Sequence, residues 1–176
     1  MVPRFFQRNR VLLTVGVAVL LIAGTLVMML TGGSEEAPEF SATSTGYIDG
    51  EESNRTIIKL SDYRGQVVIL DLMAEWCGPC KILANKTLKP LYEEEYRDSD
   101  KVVIISVSVA GDSLDLLEDM QRVEGYDWLH VANNDLDVIT KYNAQQIPKV
   151  VVIDQQGQIT FSALGIVKQD KLQREV

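Results

Sequence analysis

The segment Trp76-Cys77-Gly78-Pro79-Cys80 holds both cysteines of the 176-residue chain. Thiol–disulfide exchange needs one thiolate that attacks and a second thiol close enough to release the mixed disulfide. At the start of a helix, free backbone N–H groups and the helix dipole can lower a cysteine pKa from about 8.5 to about 3.5–7.5. The spacing therefore predicts Cys77 as the nucleophile and Cys80 as the resolving thiol, with Gly78 and Pro79 turning the chain into the helix.

The same two cysteines have other uses to weigh. A zinc site within the chain needs two further ligands, but His130 is the single histidine and there is no third cysteine. A structural disulfide across two intervening residues would close a very small loop and add little stability. We therefore expect redox chemistry without a cofactor or bound metal. A non-enzymatic module that binds a soft ion such as Cu(I) or zinc through both thiols remains the alternative.

Strand-like and helix-like patterns alternate around the motif. Five apolar runs rich in β-branched residues predict strands at about 67–73, 102–109, 129–132, 150–153 and 158–163. Apolar residues at helical spacing predict helices at about 79–96, 113–123, 136–142 and 169–174, the first kinked or divided at Pro90. This order predicts an α/β fold in which a mixed central sheet carries helices on both faces.

The stretch 71–81, with the sequence DLMAEWCGPCK, resembles the active-site signature of the thioredoxin superfamily. Residues 60–68 (LSDYRGQVV), and the segments VID and GQI within 152–159, are similar to the TlpA/ResA branch, whose members are exported and often membrane-tethered. The resemblance covers roughly residues 57 to 170. It implies a thioredoxin-like fold and a thiol–disulfide oxidoreductase.

The resemblance also implies roles for single residues. Asp71 matches the buried acid beneath the dithiol, which assists proton transfer to or from Cys80, and burial there would raise the pKa of its carboxyl group. Pro148 matches a loop proline that is cis in the superfamily, which exposes the backbone of Ile147 to a substrate strand. Trp76 matches the tryptophan that shields the active site. The expected substrate contacts are therefore Trp76, Gly78, Pro79, Ile147 and Pro148.

Some positions depart from the family pattern. TlpA/ResA members commonly carry another dipeptide between the cysteines and a threonine before the loop proline, whereas this chain has Gly78-Pro79 and Ile147. A narrow specificity for apocytochrome therefore does not follow from the resemblance. The lysine that partners the buried acid in thioredoxin is replaced near Ser106, so the sequence leaves open how the pKa of that acid is set.

Residues 11–30 form a run of 20 uncharged residues, which is the length of a membrane-spanning helix. Three arginines precede the run and acidic residues follow it, so the N-terminus is expected in the cytoplasm. We expect a cytoplasmic N-terminus at 1–10, a single-pass anchor at 11–30, a flexible tether at 31–50 and a thioredoxin-like domain at 51–176. A cleaved signal peptide is the alternative, and either reading exports the domain from the cytoplasm.

Charge and motif together predict the partners. All 25 acidic residues and 14 of the 17 basic residues follow the apolar run, which gives the exported part a net charge of −11. Such a surface repels nucleic acid. Gly78-Pro79 and Asp71 favour a protein-disulfide reductase over an oxidase. Its partners would be disulfide-containing proteins and a membrane electron donor, and its role would be cytochrome c maturation or general thiol maintenance.

Overall fold

The computed structural model of the chain describes residues 35–133 and 137–176. The expected anchor at residues 11–30 lies outside these ranges. Among the residues that the structure describes, no helix has the length and apolar character needed to cross a bilayer.

The described residues contain ten strands: β1 (Glu35–Glu36), β2 (Ser41–Ser44), β3 (Tyr47–Ile48), β4 (Glu51–Glu52), β5 (Ile57–Lys59), β6 (Val67–Met73), β7 (Val102–Ser108), β8 (Leu129–Ala132), β9 (Lys149–Ile153) and β10 (Gln158–Leu164). Eight of them form one sheet in the order β1-β10-β9-β6-β7-β8-β2-β5, and β3 pairs with β4 in a separate hairpin. Strands β6, β7 and β8 are parallel, and the other pairs in the large sheet are antiparallel. The sheet is therefore mixed, as predicted.

In the described part of the chain, four helices follow strands of this sheet. Helix α1 begins as Gly78–Leu83, widens into π-helical turns at Ala84–Leu88, has one α-helical turn at Lys89–Leu91 and ends in π-helical turns at Tyr92–Tyr96. The helix thus passes through Pro90, with wider turns on either side of it. The other helices are α2 (Leu114–Glu124), α3 (Asp137–Lys141) and α4 (Gln169–Glu175), and a 3₁₀ turn spans Leu60–Tyr63.

Strand β6 lies at the centre of the sheet and is buried on both faces, which explains its nearly continuous apolar sequence. Ile69 and Met73 point to one face, where they pack with α1, α2 and α4. Leu70 and Leu72 point to the other face, where they pack with residues of α3 and of the N-terminal segment. Helical residues therefore cover both faces.

Residues 35–50 differ from the prediction of a flexible tether. Strand β1 pairs with β10 at one edge of the sheet, and β2 lies between β8 and β5 near the other edge. Phe40 is 2% exposed and packs edge-to-face against Tyr142. Backbone pairing and the burial of Phe40 hold this segment in place, although its polar composition predicts no regular structure. The domain therefore includes residues from Glu35 onward.

Candidate active site

Cys77 and Cys80 lie at the start of α1 and are joined by a disulfide bond, with their Cα atoms 5.2 Å apart. Cys77 caps the helix, and its Sγ accepts a hydrogen bond of 3.2 Å from the backbone N–H of Cys80. The free N–H groups of the first turn and the helix dipole therefore act on this sulfur. After reduction, this position stabilises a thiolate on Cys77 and leaves Cys80 as the second thiol, one turn along.

The residues around the dithiol differ in exposure. The side chain of Trp76 is 69% exposed, whereas Cys77 is 4% and Cys80 is 2% exposed. Gly78 and Pro79 are also exposed. The motif thus has an exposed aromatic side chain and an exposed Gly-Pro turn, whereas both cysteines are buried.

The Ile147–Pro148 peptide bond is cis, as the resemblance implies. Ile147 is half-buried and packs against the apolar core on both faces of the sheet, including the core residues around Cys77 and Cys80. Pro148 is buried, and its carbonyl oxygen accepts a hydrogen bond of 2.7 Å from the backbone N–H of Gly165. The fold therefore brings this loop to the same core region as the dithiol.

Asp71 lies in the middle of β6 and is 2% exposed. Side chains alternate along a strand, so Asp71 shares its face with Ile69 and Met73, which pack in the cluster that contains Cys80. Its Oδ2 accepts a hydrogen bond of 2.8 Å from the Ser106 hydroxyl. Oδ1 has no hydrogen-bond partner among the described residues. Burial raises the pKa of the carboxyl group to about 7, and the Ser106 hydrogen bond opposes this shift.

A family model described as thioredoxin-like matches residues 65–159, which is more than half of the chain and includes the dithiol, Asp71 and Pro148. The chain belongs to the thioredoxin-like family.

Curated relatives and solved structures agree with this assignment to the thioredoxin-like family. The chain is 25% identical to the thiol-disulfide oxidoreductase ResA of Bacillus subtilis over 171 residues, covering 94% of this chain and 91% of ResA. It is 27% identical to ResA of Geobacillus kaustophilus over 142 residues, covering 80% and 74%. StoA of Bacillus subtilis superposes with a TM-score of 0.60 at 21% identity, covering 79% of this chain and 96% of StoA. A DsbF homologue from Corynebacterium diphtheriae superposes with a TM-score of 0.66 at 18% identity, covering 82% of this chain and 87% of the homologue. Both structures share the fold of this chain.

In this thioredoxin-like domain, Ser106 is the cross-strand partner of Asp71 in the β6–β7 register. Its Oγ also accepts a hydrogen bond of 2.9 Å from the indole N–H of Trp128. Both Ser106 and Trp128 are 1% exposed. A neutral serine, itself fixed by a buried tryptophan, therefore occupies the position opposite the acid. Trp128 was not predicted as a site residue, because its contact with Ser106 depends on the packing between strands.

His130 lies next to Ser106 in the β7–β8 register and is 1% exposed. Its ring stacks with that of Tyr126 and packs at a tilt against that of Trp128. Its Nδ1 lies 2.9 Å from the Trp128 carbonyl oxygen. Burial lowers the pKa of the imidazole to about 4. His130 is therefore neutral at physiological pH and belongs to the packed aromatic row.

Asp112 is a further residue of the site, and no motif in the sequence marks it. It is 8% exposed, and its Oδ2 accepts hydrogen bonds from the backbone N–H of Glu75 at 2.9 Å and from the Ser108 hydroxyl at 2.8 Å. Glu75 also pairs with Lys81 at 3.1 Å, across the first turn of α1. Asp112 thus fixes the backbone two residues before Cys77. Its place just before Ser113, the cap of α2, is the local signal that it is held in a turn.

Within the two described ranges, no group of three or more His, Cys, Asp or Glu side chains is arranged to hold a metal ion.

Proposed function

We propose that this chain is an exported, membrane-tethered enzyme that reduces protein disulfides through the Cys77–Cys80 dithiol. One observation supports the dithiol chemistry most strongly. The Cys77 sulfur caps α1 and accepts a hydrogen bond from the N–H of Cys80, whose own sulfur is bonded to it one turn along. Membership of the thioredoxin-like family and similarity to proteins named thiol-disulfide oxidoreductase support the same chemistry.

The reduced enzyme acts in two exchange steps. The Cys77 thiolate first attacks a substrate disulfide, which forms a mixed disulfide and releases one substrate thiolate. Cys80 then loses its proton to Asp71 and attacks the Cys77 sulfur, which breaks the bond to the substrate and leaves the Cys77–Cys80 disulfide. With a pKa of about 7, the Asp71 carboxyl group can take up and return this proton near neutral pH.

Substrate binding uses the exposed side of the motif and the loop that contains the cis peptide. Trp76 supplies an exposed aromatic surface. The backbone of Ile147 precedes β9 and pairs with an extended segment of the substrate, as strands add to a sheet edge. These contacts recognise backbone and apolar surface, so the enzyme acts on several disulfide-containing proteins, in general thiol maintenance or in cytochrome c maturation.

The reduction potential of the Cys77–Cys80 couple tests the direction of the reaction. We expect a value near that of thioredoxin, about −270 mV, when the protein is equilibrated with a thiol–disulfide buffer. A value of about −120 mV, as in strong oxidants, would contradict the reductase assignment. Titration of the reduced protein with Cu(I) and Zn²⁺ tests the metal-binding alternative, which requires stoichiometric binding that is lost in Cys77→Ser.

The cellular location has its own test. We propose that residues 11–30 anchor the protein with the catalytic domain outside the cytoplasm, and that a membrane donor returns electrons to the dithiol. The full-length chain should remain in membranes after carbonate washing, and the domain should be cleaved by protease added from outside. Recovery of a soluble form that starts near residues 31–38 would show that the N-terminal segment is removed.

A further inference from the structure

Two hydrogen bonds link Trp128, Ser106 and Asp71 in a chain, and both donate toward Asp71. An indole N–H can only donate, so Trp128 donates to Ser106 Oγ at 2.9 Å. The serine hydroxyl has one proton, and it is donated to Asp71 Oδ2 at 2.8 Å. All three side chains are 2% exposed or less. The Oδ2 atom of Asp71 is therefore held as an acceptor.

We propose that Ser106 and Trp128 are positioning residues that assign the transferred proton to Oδ1 of Asp71. A proton on Oδ2 would compete with the Ser106 hydroxyl for that oxygen and weaken a buried hydrogen bond, which is unfavourable. Oδ1 has no partner among the described residues, so it can carry the proton without breaking a hydrogen bond. This inference rests on the proposed function, because it concerns the proton that Cys80 gives up.

Of the groups that face Asp71, Ser106 is the one that stabilises its charged carboxylate with a hydrogen bond. In the sheet register, Ser106 and Val150 lie on either side of the acid, and His130 follows Ser106 on β8. His130 is neutral because burial lowers its pKa to about 4. Burial is the main cause that raises the pKa of the Tyr126 phenol, and the charges of Glu124 and Asp71 raise it further. Among the described residues, only the Ser106 hydrogen bond counteracts the effect of burial on the carboxylate.

In the step concerned, the proton moves from Cys80 Sγ to Asp71 Oδ1, and the Cys80 sulfur forms a bond to the Cys77 sulfur. The bond from Cys77 to the substrate sulfur breaks, and the substrate leaves as a thiolate. The substrate disulfide is reduced and the dithiol is oxidised. Ser106→Ala removes a hydrogen bond to the charged carboxylate, so Asp71 should become a base only at higher pH.

The test uses the reduced full-length chain in mild detergent, mixed rapidly with the chromogenic disulfide dithiobis(nitrobenzoate). A first release of coloured thiol reports attack by Cys77, with a rate that depends on reagent concentration. A second release reports attack by Cys80, with a rate that does not. The pH midpoint of the second rate should rise by about one unit in Ser106→Ala, since a hydrogen bond to a charge contributes roughly that much. Below the midpoint the second step should then be about tenfold slower.

Three variants show whether the effect belongs to the hydrogen-bond chain. Ser106→Thr keeps the hydroxyl group and should restore the midpoint. Trp128→Phe removes the donor to Ser106 and should raise the midpoint by a smaller amount, because a hydroxyl that accepts a hydrogen bond donates more strongly. Ser44→Ala removes a buried hydroxyl from β2, which bonds to Thr56, and should leave the midpoint unchanged.

The outcomes separate the two levels of inference. Two phases in the wild type, with the same midpoint in Ser106→Ala and Trp128→Phe, would overturn the positioning role and leave the proposed function standing. Absence of the second phase in the wild type would overturn the proposed function itself. In an Asp71→Asn background, Ser106→Ala should cause no further change in the pH profile, and a remaining shift would also contradict the proposal.

Discussion

Asp71→Asn retains the shape of a buried carboxyl group but removes its ability to ionise. In the oxidised protein, Cys77 and Cys80 are bonded and do not titrate, so the effect of Asp71 on folding can be measured without the thiols. Burial raises the pKa of Asp71 from 3.8 to about 7 in the folded protein. We therefore expect the variant to be more stable than the wild type at neutral pH, and about equally stable near pH 4.

The sign and size follow from proton linkage. Below its unfolded pKa of 3.8, Asp71 is protonated in both states, and its neutral form contributes its full stability. Between that value and about 7, the folded state keeps the proton and the unfolded state releases it, so stability falls as pH rises. The fall is about 1.4 kcal/mol per pH unit, or about 4 kcal/mol over the whole interval. Asparagine shows no such loss.

His130 has the opposite effect over part of the same range. Burial lowers its pKa from 6.5 to about 4, so below pH 6.5 the unfolded state takes up a proton that the folded state does not. Its contribution to stability is present above 6.5 and is lost as pH falls toward 4, again by about 1.4 kcal/mol per unit. In the wild type, the Asp71 and His130 contributions to the pH dependence of stability offset each other between about pH 4 and pH 6.5. Asp71→Asn should reveal the His130 slope, a gain of about 3 kcal/mol from pH 4 to 6.5.

Denaturant unfolding of residues 35–176, followed at a series of pH values, measures these slopes. The difference in unfolding free energy between Asp71→Asn and wild type should grow steadily from about pH 4 to about pH 7 and then stay constant. Asp98→Asn, at an exposed position of the same domain, is the matched control and should show no such growth. A constant difference across the range would refute a raised pKa for the buried acid.

The remaining predictions concern single side chains of the site and its surroundings. Cys77→Ser should abolish exchange and Cys80→Ser should trap mixed disulfides, as seen on non-reducing gels, whereas equal trapping by both would contradict their assigned roles. His130→Gln should remove the acid-side loss of stability, so that unfolding free energy falls steadily from pH 4 to 7; a profile like that of the wild type would contradict this. Asp112→Ala leaves the N–H of Glu75 without its acceptor, so it should lower the unfolding free energy by about 1–3 kcal/mol. It should also slow the attack of Cys77 on a disulfide. Normal stability together with a normal attack rate would show that the backbone before Cys77 does not depend on the Asp112 contact.

The central strands could be predicted from the sequence because their signal is local. The apolar, β-branched run at Val67–Met73 forms the middle strand, and the run at Val102–Ser108 forms its parallel neighbour. The edge strands could not be predicted in this way. Glu35–Glu36 and Ser41–Ser44 are short and polar, and their pairing depends on partners in β10 and β8, which lie far along the chain.

The same distinction applies to the candidate site. Cys77 and Cys80 follow from their spacing, and Asp71 and Pro148 follow from the resemblance, because each lies in a short motif. Ser106, Trp128 and Asp112 are fixed by contacts between residues 22 to 37 positions apart in sequence. The resemblance located the missing lysine near Ser106, but only the strand register shows which side chain faces the acid.

Because burial raises the pKa of Asp71 to about 7, we expect this acid to lower the stability of the oxidised fold at neutral pH. Packing alone therefore does not explain a carboxyl group at this position. A leucine or asparagine in β6 would avoid the ionisation penalty of about 4 kcal/mol. A lysine opposite the acid would also reduce that penalty, but it would keep the carboxyl group charged and weaken it as a base. Ser106 donates a hydrogen bond without bringing a positive charge. Burial raises the pKa of the carboxyl group and the Ser106 hydrogen bond opposes that shift, which leaves the pKa at about 7. At this value the carboxyl group suits the proton transfer that we propose for Cys80.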